Sequence, residues 1–211
     1  ASFAGSLSGS GELLLSGTLP ASGSVGALSG SGTLLADGSS FVVQNVSSST
    51  FSGTLGSSGV DGVLTVENGG GVFTMQRVQM SPQWSIQNAG KTVFSQAVSG
   101  GNAMLTLASL SLLDDSQTSL VLNTDVGMEV FSLDSLLVED GAQLTLQSVG
   151  NLAVELDSEG NAIMGKAEQV DLGADGIVPL TLEGGSAFAG IEQAWLTLEN
   201  GWLIFHAIRD E

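Results

Sequence analysis

A turn signal of the Asp-Gly or Asn-Gly type returns along this chain at a nearly even interval. It appears at Asp37-Gly38, Asp61-Gly62, Asn88 ahead of Gly90, Asp114-Asp115, Asp140-Gly141, Asp175-Gly176 and Asn200-Gly201, spaced by about 24, 27, 26, 26, 35 and 25 residues. A unit of this size cannot bury its own apolar face, so neighbouring units must stack into one continuous core. Between the signals lie short alternating segments such as Val63-Leu64-Thr65-Val66, Met104-Leu105-Thr106-Leu107, Leu144-Thr145-Leu146 and Trp195-Leu196-Thr197-Leu198. Period-two alternation with Thr at the outward position is the pattern of half-solvated strands. Ser109–Gln117 also aligns without gaps on Ser135–Gln143, so the repeat extends beyond turn chemistry.

An antiparallel sandwich or barrel would bring turns every 8 to 12 residues or so. The longer interval predicts an all-β fold, a parallel β-helix (β-solenoid) of about eight coils of ~25 residues. With coils ~4.8 Å apart the rod would be on the order of 40 Å long. Residues 1–211 read as a single β-solenoid domain, a fragment of a longer protein. The one long interval predicts an insertion loop near 155–166. Both ends of such a stack need covering, and Trp195, Trp202 and Phe205 are the candidate cap at the C-terminal end.

Composition narrows the partners. The chain has four Lys/Arg against 22 Asp/Glu, a net charge of −18. Nucleic acid is excluded as a partner because phosphate affinity requires Lys and Arg to displace counterions. Residues 1–100 hold only Glu12, Asp37, Asp61 and Glu67 against Arg77 and Lys91, a net of −2, leaving −16 for the remainder. Cysteine is absent, which removes disulfides and thiolate ligands. No apolar run reaches the 18 or so residues of a spanning helix, so no membrane insertion by this segment is expected.

The N-terminal residues carry a resemblance. Phe3-Ala4-Gly5-Ser6-Leu7-Ser8-Gly9-Ser10-Gly11-Glu12-Leu13, Val25-Gly26-Ala27-Leu28-Ser29-Gly30-Ser31-Gly32-Thr33-Leu34 and Phe51-Ser52-Gly53-Thr54-Leu55-Gly56-Ser57-Ser58-Gly59-Val60 resemble the autotransporter-associated β-strand repeat. Residues 1–60 carry it, and the second half departs from it. The resemblance implies a right-handed parallel β-helix passenger, part of a longer surface protein at the bacterial cell surface, extracellular, acting as an adhesin or a structural stalk. It implies no catalytic residue. The expected partners are a host or matrix glycan or protein, or other copies of the chain. Two alternatives are a polysaccharide-binding or polysaccharide-degrading β-helix and a self-assembling fibre module.

Few residues suggest chemistry. Asp157, Glu159, Asn161 and Glu168 place oxygen ligands at positions one, three, five and twelve of a calcium-loop spacing, although Ala162 stands where the sharp turn wants Gly. Calcium is the single cofactor they suggest. Trp84 follows Pro82 in a segment that reads as a loop, and an exposed indole there could stack on a sugar. Trp195 and Trp202 alternate with Leu and Ile and are expected inside the end of the core. Asp114 and Asp140 fall at equivalent positions of neighbouring coils. They form either a carboxylate pair or ordinary turn residues. His206, in the last predicted strand, has no Gly-x-Ser-x-Gly elbow to make it part of a triad.

Overall fold

The computed structural model describes residues 7–9, 11–15, 17–20, 22–95, 103–122, 128–149, 154–184 and 186–210. They form an all-β, solenoid-like sheet dominated by parallel pairing. The first passes use three strands each: β1 (Leu7–Ser8), β2 (Glu12–Leu15), β3 (Thr18–Pro20); β4 (Gly23–Val25), β5 (Ala27–Gly30), β6 (Thr33–Ala36); β7 (Ser40–Val43), β8 (Ser49–Phe51), β9 (Thr54–Ser57); β10 (Gly62–Val66), β11 (Val72–Gln76), β12 (Gln79–Met80). Later passes are described with two: β13 (Trp84–Asn88), β14 (Lys91–Ser95); β15 (Leu105–Leu112), β16 (Gln117–Leu122); β17 (Phe131–Val138), β18 (Gln143–Ser148); β19 (Asn161–Asp171), β20 (Val178–Glu183). Two strands, β21 (Ile191–Glu199) and β22 (Trp202–Arg209), form a closing hairpin.

Parallel register stacks like on like. One inward column runs Phe41, Leu64, Ile86, Leu110, Leu136 and Val170, and a second runs Phe51, Met75, Phe94, Leu120, Leu146 and Leu182. The third face stacks Leu19, Leu34, Leu55 and Met80. All of these side chains belong to one core or pack against it. Removing such area from water contributes about 25 cal/mol per Å². Each column shares its area with the pass on either side, so no pass is stable alone.

The passes are not of uniform length. Leu13 pairs with Leu28, 15 residues on, Leu34 with Leu55 after 21, Leu110 with Leu136 after 26, and Leu144 with Leu180 after 36. An interval of about 25 is therefore an average over passes that range from 15 to 36 residues, with a return to 19 where Val72 pairs with Lys91. In the N-terminal part the stacked motif is Gly-Thr-Leu, at 17–19, 32–34 and 53–55. Its spacing differs from the one that carries the family resemblance, whose first copy lies partly outside the described residues, at 3–6 and Ser10. The motif's glycine is set by close approach of the backbones. Thr33 N–H donates to Gly17 O at 2.7 Å and Thr54 N–H to Gly32 O at 2.9 Å. A Cβ on Gly53 would fall 1.9 Å from Gly32 O.

Asn88, which reads as a turn residue in the sequence, is the buried last residue of β13. Its Nδ2 donates to Thr118 Oγ1 at 2.8 Å and Gln117 O at 3.3 Å, and its Oδ1 accepts from Gly90 N–H at 3.1 Å and Thr92 Oγ1 at 2.9 Å. A buried amide needs these partners, and they tie β13 and β14 of one pass to β16 of the next at one corner.

Trp84 is corrected from loop to strand. It opens β13, is 0% exposed, and its Nε1–H donates to Gly56 O at 2.8 Å. Its indole lies inside the core with no face left for a ligand.

The long interval near 155–166 is part loop and part strand. Phe131 pairs with Gly165, so the residues ahead of Gly165 exceed what the pass needs. Asn161–Lys166 at the start of β19 pairs antiparallel with β22, while Gly165–Asp171 continues the parallel stack on β17. The insertion thus supplies a landing strip for the hairpin. β21 in turn pairs antiparallel with Val178 and Pro179 of β20.

Candidate functional site

The antiparallel join creates a short sheet ordered β19, β22, β21. Alternation divides it into two faces. Ala194, Leu196, Leu203, Phe205, Ala207 and Met164 face the core and are buried. The other face carries three rows: Trp195, His206 and Asn161; Thr197, Ile204 and Ile163; Glu199, Trp202 and Lys166. Only Phe205 of the expected cap trio plugs the core. Trp202 is 46% exposed and Trp195 stands half-buried on the outward face, so the exposures expected of Trp84 and of this pair are reversed.

The first row is rigidly held. The imidazole of His206 stacks on the indole of Trp195 with centroids 5.3 Å apart and planes 12° from parallel. Its Nδ1 lies 2.6 Å from Asn161 Oδ1 and its Nε2 lies 2.7 Å from Thr197 Oγ1 and 3.4 Å from Glu199 Oε1. Nδ1–H donates to the amide oxygen. Nε2 accepts from the threonine hydroxyl when neutral and pairs with Glu199 when protonated.

Above this face the 154–160 segment forms a wall. The cleft between them has a volume of about 690 Å³, with Ile163, Ile204, Ala162 and Met128 on its apolar surface. Glu155, Asp157, Glu159 and Glu199 supply the acidic rim, and Asn161 completes the lining. Ile163 is 56% exposed. Asp157 shapes the wall: its Oδ1 accepts from Asn161 N–H and Glu159 N–H, both at 2.9 Å. The Asn161 amide foremost, aided by that of Glu159 and opposed by partial desolvation, holds its carboxyl below the usual range.

Three of the four residues with calcium-loop spacing, Asp157, Glu159 and Asn161, meet at this cleft, whereas Glu168 stands exposed further along β19 and does not line it. The Asp157 oxygen is engaged by backbone and the Asn161 oxygen by His206. Among the described residues no group of three His, Cys, Asp or Glu is placed to hold a metal ion.

Asp114 and Asp140 serve neighbouring turns. Asp140 Oδ1 accepts from Ala174 N–H at 2.9 Å, and Asp114 Oδ1 occupies the space that a Cβ on Gly141 would need. Asp114 N–H donates to Glu139 Oε2 at 2.6 Å. The Asp140 carboxylate thus holds the next pass's backbone and the Glu139 carboxylate that of the preceding one, while the Asp114 carboxylate packs against Gly141.

The sequence reading missed Glu155, Glu199, Ile163 and Ile204. The signal was present in strand parity: Leu196, Leu203 and Phe205 must face the core, which sends Trp195, Thr197, Glu199, Trp202, Ile204 and His206 outward. Comparison with protein-family models, curated proteins and solved structures finds no match to this chain.

Proposed function

We propose that this chain is a non-enzymatic surface β-solenoid of a bacterium, extracellular, in which a right-handed rod of about eight coils presents a recognition face at its C-terminal end. The observation that carries the reading is Trp202, exposed on the outward side of the β19–β22–β21 sheet with half-buried Trp195 on the same face, in the rows either side of the Ile163 and Ile204 that line the cleft. Elsewhere the stacked passes present mainly Ser, Thr, Gly and Gln outward. A large exposed aromatic beside aliphatic groups marks a contact surface. The low charge of the first half and the absence of cysteine suit an adhesin or stalk.

The test is binding of the chain to arrayed host glycans and immobilised matrix proteins, with and without Trp202→Ala. Loss of binding in the variant, with an unchanged melting temperature, supports the reading. Equal binding by both forms, or none by either, sinks it. A second reading, polysaccharide binding with cleavage, draws on the carboxylates gathered at one cleft. Release of new reducing ends from a bound polysaccharide, abolished by Glu199→Gln, would replace the first reading with the second.

A further inference from the structure

We infer that the cleft between the 154–160 wall and the β19–β22 face receives a basic, partly apolar segment of a partner protein, with Lys or Arg stems on the floor and their heads at the carboxylate rim. The inference rests on the recognition face proposed above and specifies its partner. Its starting point is an unpartnered apolar surface, since Ile163 is 56% exposed and Ile204 and Met128 continue it. The volume of about 690 Å³ falls within the ~300–1,000 Å³ of ordinary ligand sites.

Charge decides the occupant. Among the described residues, Glu155, Asp157, Glu159 and Glu199 line the cleft and no Lys or Arg does. A neutral occupant would strip water from these carboxylates without pairing them, which is costly. An anionic glycan would be repelled at once. A bare metal ion would leave the apolar floor unused and compete for oxygens that the backbone amides and His206 already hold. Lys and Arg satisfy both requirements, because their methylene stems cover apolar surface while the charged heads reach the rim. Trp202, one row along the same face, offers an indole for a further cation. The −16 carried by residues 101–211 attracts such a segment from solution.

The experiment measures binding of an alternating Lys–Leu hexapeptide to the full chain, with spermine and a neutral hexasaccharide as comparison probes. Glu155→Gln with Glu159→Gln, and separately Ile163→Ser, should each weaken the peptide about tenfold. Glu139→Gln with Asp175→Asn, acidic positions on a different turn corner, should change it less than about twofold. Equal weakening by the control pair would mean diffuse attraction only and overturn the inference. So would spermine binding as tightly as the peptide with Ile163→Ser silent, or no peptide binding at all. If a glycan or matrix protein still binds through Trp202 while the peptide does not, the recognition face stands and the basic partner falls.

Discussion

At the scale of residues, most of the polar side chains that look chemical are holding backbone. Asn88 is the clearest case, since four hydrogen bonds on one buried amide join β13, β14 and β16. Asn88→Ala strands buried partners in an unchanged backbone, and a loss of about 3 kcal/mol is expected. Chemical denaturation of the purified variant checks it; a loss under about 1 kcal/mol would show that water replaces the amide. Asp157 gives a pH signature. Its carboxyl is held low by the Asn161 and Glu159 amides, so its stabilising effect is complete above the ordinary Asp value of about 3.9 and fades as pH falls through the lower folded value. The melting-temperature gap between the wild type and Asp157→Ala should therefore be widest near neutrality and close in acid. Glu192 has the opposite sign. Its carboxyl is raised by a hydrogen bond with Asp210 and then by desolvation, so its contribution is present in acid and lost as pH rises through that raised value.

The element that decides the site is the β21–β22 hairpin. It covers strand edges that the last pass would otherwise expose, pairing with β19 on one side and with β20 on the other. Phe205 anchors it, fully buried between the register partners Ala162 and Leu196. Because a stacked array transmits stability chiefly between neighbours, Phe205→Ala should open the hairpin and the start of β19 while β4–β11 keep their protection. Hydrogen exchange resolves this directly. Uniform loss of protection along the chain would contradict nearest-neighbour behaviour. The same stacking explains the N-terminal glycines: Gly53→Ala forces a methyl into Gly32 O, and a cost of roughly 1–3 kcal/mol is expected from the overpacking.

Across the whole molecule, charge and regularity are unevenly shared. The first hundred residues are almost neutral and tightly repetitive, whereas the acidic remainder holds the long passes, the insertion and the cap. Repulsion among those carboxylates works against the compact state. Raising sodium chloride from about 0.01 to about 0.15 M, which shortens the screening length from ~30 to ~8 Å, should therefore increase exchange protection beyond β14 more than before it. A uniform gain, or none, would mean that the acidic groups are too solvated to matter.

Much of the architecture was legible in the sequence, because strand alternation and turn chemistry are local. Val63–Val66 and Leu144–Leu146 are strands in both accounts, and the match of Ser109–Gln117 to Ser135–Gln143 is the register in which β15–β16 stack on β17–β18. An average interval cannot reveal that the passes range from 15 to 36 residues, since hydrogen-bond register is fixed by which backbones meet. The site was less legible for the same reason. Trp84 beside a proline looks exposed and Trp202 beside leucine looks buried, yet burial depends on which face of a sheet meets the core. Local patterning is enough for an all-β stack with an irregular, acidic end. The antiparallel pairing of the insertion with the hairpin arises on folding, because that contact joins residues about 40 apart that no local pattern links, and it is this join that brings Asn161, Ile163, Glu199 and His206 together.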